Sequence, residues 1–110
     1  MEINEEKTDL CVIIGLKGRL DTTNYGILEE KLMSLIDNHQ DRILVECTGM
    51  DYVSSSGLRI LLMALKRVTQ SKGKFVLCGL QENIREIFEI SGFTTIFEIF
   101  PSREHAFKVF

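Results

Sequence analysis

Met50-Asp51-Tyr52-Val53-Ser54-Ser55-Ser56-Gly57-Leu58-Arg59-Ile60-Leu61-Leu62 hands a strand-like run over to an apolar helical one, and the fold follows from how it is read. Before it, Arg42 to Thr48 alternates, with Ile43, Val45 and Cys47 on one side and Leu44 and Glu46 on the other. That second side is expected to be wetter or to meet a cation. After it, Leu58, Leu61, Leu62, Leu65 and Val68 recur at helical spacing, which predicts a helix over about 57–70. Ile60, Met63 and Ala64 add a second apolar stripe, so the helix is expected to pack on a neighbouring helix; a docking patch beside the serines is the other option. The serines themselves have two readings. They cap the helix by accepting from its first free N–H groups, or they hold a hydroxyl near the surface where a phosphate is added and removed. Gly57 is read as keeping the approach to them clear. Arg59 opposes the helix dipole from the first turn, and pairing with Asp51 or Asp21 is expected, a partner contact being the alternative.

Working toward the N-terminus, Leu10 to Leu16 is apolar almost throughout, as in a strand covered on both faces, and is expected to stop at Lys17-Gly18-Arg19-Leu20-Asp21. Ile3 to Glu6 predicts an edge strand joined to it by a hairpin. Thr22 or Thr23 is expected to cap a helix ending near Asp37, with Tyr25, Leu28, Leu32, Leu35 and Ile36 inward and Asn38 as its left-handed stop. Toward the C-terminus, Gly73 is read as the left-handed end of the serine-led helix. A buried strand over 75–79, a helix over 81–90 ending at Gly92, a strand over 96–100 and a last helix after Pro101-Ser102 complete the chain.

The order β-β-α-β-α-β-α-β-α predicts an α/β fold occupying 1–110 as one domain. Its mixed sheet is mostly parallel with an antiparallel N-terminal edge strand, and about four helices pack on it. Sites in such sheets form where strand ends meet helix starts. That rule selects Lys17 to Thr23 and Met50 to Arg59, which should lie side by side with Asp21 near the serines.

At 110 residues, 45% hydrophobic and 26% charged, the composition is that of an ordinary globular protein. A net charge of -3 argues against a nucleic-acid partner, since Lys66, Arg67, Lys72 and Lys74 cluster only around a helix end. No apolar run reaches the roughly 20 residues of a membrane span, and the N-terminus lacks a signal peptide's pattern. Cys11, Cys47 and Cys78 lie in strand-like runs and read as buried free thiols, which suits a cytoplasmic protein. A serine hydrolase is not supported: Ser54-Ser55-Ser56-Gly57 is no nucleophile elbow, and neither His39 nor His105 has reason to meet Ser55. A phosphate-cradling glycine loop and the acidic cluster of a receiver domain are missing too. The expectation is a protein without catalysis, cofactor or metal.

Through Gly18-Arg19-Leu20-Asp21, Tyr52-Val53-Ser54-Ser55-Ser56-Gly57-Leu58, the Ile90-Ser91-Gly92-Phe93 turn and the closing Ser102 to Ala106 helix, the chain resembles the STAS domain family. Its likeness is to the single-domain bacterial anti-sigma factor antagonists, whose motif reads Asp-Ser-[Ser/Thr/Ala]-Gly. The resemblance implies that Ser55 is the phosphate acceptor, with Ser56 and Gly57 completing the motif and Asp21 beside it. Ser54 stands where the family commonly has aspartate. The implied function is a phosphorylation-switched interaction module: unphosphorylated, it binds an anti-sigma factor that is also its serine kinase, and a sigma factor is released. A serine phosphatase would be the opposing partner, and the chain itself would be a monomer or weak dimer. A STAS signalling scaffold, or a domain binding a small anion or nucleotide through the serines, is the alternative.

Overall fold

The computed structural model describes Met1 to Phe110. Five strands form one sheet: β1 (Glu2–Lys7), β2 (Val12–Leu20), β3 (Arg42–Val53), β4 (Lys74–Cys78) and β5 (Glu98–Phe100), lying side by side in sequence order. β1 pairs antiparallel with β2 at one edge, and every other pair is parallel. Four helices connect or follow them: α1 (Tyr25–Asp37), α2 (Ser55–Gln70), α3 (Glu82–Ile90) and α4 (Arg103–Ala106). Element order and sheet composition are those expected from the sequence.

Because the parallel crossovers all step the same way along the sheet, α1, α2 and α3 share one face. Their Leu28, Leu32, Leu61, Ala64, Ile84 and Phe88 close over Ile14, Ile43, Val45, Cys47 and Leu77. Phe88, Phe93 and Phe97 meet edge to face, with centroids 5.7 to 6.1 Å apart, and anchor the α3 end of this layer. The opposite face is covered by the C-terminal segment alone, where Ala106 and its neighbours Phe107 and Phe110 pack on Cys11, Ile13, Leu44, Val76 and Cys78. On that face the Glu46 carboxylate does meet a cation, Arg103. The second stripe of α2 is buried within the fold too, Ile60 and Ala64 being almost fully covered.

Four local expectations need correction. β2 and β3 do not stop at Leu16 and Thr48. They run on, paired, to Leu20 and Val53, with slips in register between Gly15 and Lys17 and between Gly18 and Arg19. Such bulges carry a strand past the point where its alternation fails. α1 is not capped by Thr22 or Thr23; Asn24 stands at its N-cap, because the Asp21 carboxylate has already folded Thr23 into the turn before it. The left-handed residue after α1 is His39 (φ 61°), not Asn38, and after α2 it is Lys72 (φ 59°), not Gly73. In both, the next amide bonds back to the helix, Gln40 N–H to the Leu35 carbonyl and Gly73 N–H to that of Val68, each at 3.0 Å or less. Finally, β5 begins only at Glu98, since Phe93–Thr95 forms a 3₁₀ turn that presses Phe97 into the core.

Candidate functional site

The extended ends of β2 and β3 place the two selected segments next to each other. Lys17, Gly18, Arg19 and Leu20 pair with Gly49, Met50, Tyr52 and Val53, and the Ser54 amide donates to the Leu20 carbonyl at 2.9 Å. The chain then turns outward at Asp21 on one strand and into α2 on the other. Asp21 therefore follows directly on the residue that receives Ser54.

The three serines have separate environments. Ser54 is the N-cap of α2, in extended conformation, and its Oγ accepts from the Gly57 N–H at 3.2 Å. Ser55 is the first helical residue, exposed, and its hydroxyl makes no hydrogen bond within the chain. Ser56 is half-buried. Of the two readings of the serines, capping falls to Ser54, and this leaves the Ser55 hydroxyl at the surface. The amides of Ser55 and Ser56 precede the first intrahelical bond and remain as free donors beside it.

Gly57 is not where it was expected to act. It is buried, and a Cβ built on it would come within 2.7 Å of Leu20 Cγ, 2.9 Å of Leu20 Cδ2 and 3.1 Å of Val53 Cγ2. Its missing side chain lets the first turn of α2 rest on the strand ends, and clears no path for a visitor. Arg59 also departs from expectation: it pairs with neither Asp51 nor Asp21. Its guanidinium lies over the Tyr25 ring, 6.0 Å from the centroid, because the first turn of α2 faces the start of α1.

Asp21 is held by its own turn, one residue beyond the Leu20 carbonyl that receives the Ser54 amide. Its Oδ1 accepts from the Thr23 amide at 2.9 Å and from the Thr23 hydroxyl at 2.5 Å, while Arg19 Nε stands 3.5 Å from Oδ2. These hydrogen bonds, those of Thr23 first, lower its pKa and keep the carboxylate ionised. Asn24 closes the turn by accepting from the Asp21 amide and donating to the Arg19 carbonyl at 2.7 Å. Arg19 lies over Tyr52, its directly paired residue, at 4.0 Å from the ring centroid. On the other side, Gln81 and Asn83 donate to the Thr48 and Asp51 carbonyls and tie the start of α3 to the extended end of β3. Arg19 and Tyr52 lie in the two segments the sequence selects but have no role assigned there, Tyr25 is read as part of the inward face of α1, and Asn24 is not singled out. The contact between Arg19 and Tyr52 becomes visible only once the two strands are known to continue, since pairing then sets one opposite the other.

What the arrangement offers chemically is one exposed hydroxyl at a helix start, with the Ser54 amide bonded to the strand end that leads into Asp21 and with Arg59 over Tyr25 on the same helix. The chain belongs to the STAS domain family, whose model matches residues 2–106. BtrV of Bordetella bronchiseptica, described as a candidate anti-sigma factor antagonist, is 38% identical over 110 residues, covering 100% of this chain and 95% of that protein. The anti-sigma-B factor antagonist of Bacillus subtilis is 28% identical over 105 residues, covering 94% and 93%. Among solved structures, a candidate anti-sigma factor antagonist of Thermotoga maritima superposes with a TM-score of 0.92 at 17% identity, over 96% of this chain and 92% of that one. The Bacillus cell fate determinant SpoIIAA in its phosphorylated form gives 0.78 at 21% identity, over 97% of each. These structures share the fold, a five-stranded mixed sheet with four helices. No helix of the chain is long and apolar enough to cross a membrane.

Proposed function

We propose that the protein is an anti-sigma factor antagonist switched by phosphorylation of Ser55. Unmodified, the strand ends and the start of α2 dock on an anti-sigma factor and displace the sigma factor it holds. The anti-sigma factor is the serine kinase that ends the contact, and a serine phosphatase restores it. Asp21, Ser54, Ser56 and Arg59 form the rim of the contact, with Gly57 acting from beneath by seating the helix. The chain works in the cytoplasm as an interaction module, not as a catalyst, and needs no cofactor.

The observation that carries this reading is the free, exposed hydroxyl of Ser55 at the first position of a helix whose inner face is buried in the core. Phosphorylation there adds about -1.5 to -2 charge. A helix N-terminus accepts that charge, so the fold persists. A tight interface does not, because the phosphate would be stripped of water near the ionised Asp21. A loss of about 1.4 kcal/mol weakens affinity tenfold, so a surface charge suffices as a switch without a change of shape. Ser54 is a poorer acceptor because its oxygen is engaged in the cap.

The test is incubation with the anti-sigma kinase and ATP, followed by mapping of the phosphate by mass spectrometry. Label at Ser55, binding retained in Ser55→Ala and lost in Ser55→Asp, is the expected result. Absence of label, together with inorganic phosphate or nucleotide bound at the serines, would replace this reading with that of a small-anion-binding STAS domain.

A further inference from the structure

Four of the six arginines are committed to carboxylates: Arg19 to Asp21, Arg67 to Asp37, Arg85 to Glu89, and Arg103 to Glu46 and Glu6. Arg59 is not, although it stands four residues after Ser55 on the same regular helix. Both side chains are exposed. Residues at this spacing are neighbours on a helix face, about 5–6 Å apart at Cβ. Helical side chains also lean toward the helix N-terminus, so an arginine reaches back over the turn that precedes it. An anionic group one turn before a cation is the favourable order for such a pair.

We propose that Arg59 is the built-in partner of the phosphate: when Ser55 carries a phosphoryl group, the guanidinium leaves Tyr25 and pairs with the phosphoryl oxygens one turn behind it. This rests on Ser55 being the acceptor. Arg59 is the cation free to move. Arg19 is held more closely by two contacts, the Tyr52 ring at 4.0 Å and Asp21 at 3.5 Å, whereas Arg59 has only the Tyr25 ring at 6.0 Å. The switch is then double. Modification brings in negative charge and in the same act withdraws from the docking surface the one cation of α2's first turn. It also uncovers the Tyr25 ring. A partner that meets the unmodified surface with a carboxylate opposite Arg59 loses that attraction and gains a repulsion.

The measurement uses the full chain with phosphoserine installed at position 55 during translation, so it depends on neither kinase nor binding partner. The second ionisation of the phosphate, near pH 6 for phosphoserine, is followed by ³¹P NMR. In the parent phosphoprotein it should fall roughly 0.15–0.4 unit below that of the Arg59→Gln phosphoprotein, about 1.4-fold to 2.5-fold in ionisation constant. Arg59→Lys should recover part of the shift, and Arg19→Gln should leave it in place. Amide spectra of the unphosphorylated variants report that the fold is kept, and the lysine variant retains the comparison if the glutamine variant is damaged. Equal titration in parent and Arg59→Gln would overturn the pairing, as would a shift that follows Arg19. Failure of a kinase to label Ser55 would overturn the antagonist reading but leave this titration unchanged, so the two results separate.

Discussion

Arg103 grips Glu46 with two parallel hydrogen bonds, Nε to Oε2 at 2.9 Å and Nη2 to Oε1 at 3.0 Å, across 57 positions of sequence. Glu6 on the edge strand adds a third contact at 3.4 Å. This fork pins α4 over the middle of the sheet, on the face away from α1, α2 and α3. It thereby closes the apolar layer of Cys11, Ile13, Leu44, Val76 and Cys78, which no other helix covers. The Arg103 hydrogen bonds hold the Glu46 carboxyl below its ordinary 4.5 and push the Arg103 pKa up.

From this follows a pH dependence with a definite sign. A carboxyl whose folded-state pKa is depressed contributes stability that is present above its unfolded value, near 4.5, and fades as pH falls through the lower folded-state value. Glu46→Gln should therefore cost about 1 kcal/mol at pH 7, the pair being less than a third exposed and only partly screened by solvent. The difference from the parent should shrink below pH 4.5, as the parent's Glu46 is itself neutralised. Urea unfolding of both proteins from pH 3 to 7 measures it. A gap constant with pH would show that the ion pair contributes nothing.

Gly57→Ala sets two effects against each other. Alanine favours the helix over glycine by about 0.8–1 kcal/mol. Its methyl group would enter space held by Leu20, which is fully buried, and by Val53, at 2.7 to 3.1 Å. Overpacking of this sort costs about 1–3 kcal/mol, so net destabilisation of about 1 kcal/mol is expected in chemical denaturation. An unchanged or raised midpoint would mean that the helix start moves freely on the strand ends.

Those same residues mark where the sequence was legible. The spacing of Leu58, Leu61, Leu65 and Val68 follows directly from helix geometry, and the capping serine needs only its own chemistry and its place before that run. Strand extension was hidden because the inward set passes from Ile43, Val45 and Cys47 to Met50 and Val53, two steps of three where a regular strand requires two. Alternation is the local sign of a strand with one wet face, and a bulge erases it. For Gly57, sequence reports that a side chain is missing but not whether the space lies toward solvent or Leu20. For Arg59, the choice among Asp51, Asp21 and Tyr25 depends on how α2 sits against α1, which is set by the whole core. His39 and Lys72 adopt left-handed turns beside an asparagine and a glycine that suit them better, because the return bonds to Leu35 and Val68 fix the count of residues.

The three thiols should be silent in the native state. Cys11, Cys47 and Cys78 are buried, and burial raises the pKa of each, to about 11 for Cys78. The thiolate is the reactive form, so labelling at pH 8 by an aromatic disulfide should wait for opening of the fold. Three equivalents should react promptly in denaturant and almost none before it. Prompt reaction of Cys11 and Cys78 alone would show α4 detaching while the rest stays folded.

Position 54 joins stability to the proposed switch. Ser54→Ala removes the acceptor for the Gly57 amide and should cost about 1 kcal/mol, a typical loss for an N-cap. Ser54→Asp keeps an acceptor there and places a negative charge at the helix start, where the dipole favours it by about 0.3–1 kcal/mol, so it should match or exceed the parent in stability. Its cost should fall elsewhere. A permanent carboxylate next to Ser55 raises the negative charge of the unmodified surface and so narrows the electrostatic contrast that the proposed phosphorylation would create. Denaturation midpoints of the two variants, set beside their affinities for the anti-sigma factor before and after phosphorylation, test both halves. If Ser54→Asp is less stable than Ser54→Ala, the hydroxyl at 54 is required for more than accepting one hydrogen bond, and the separation of capping at 54 from switching at 55 fails.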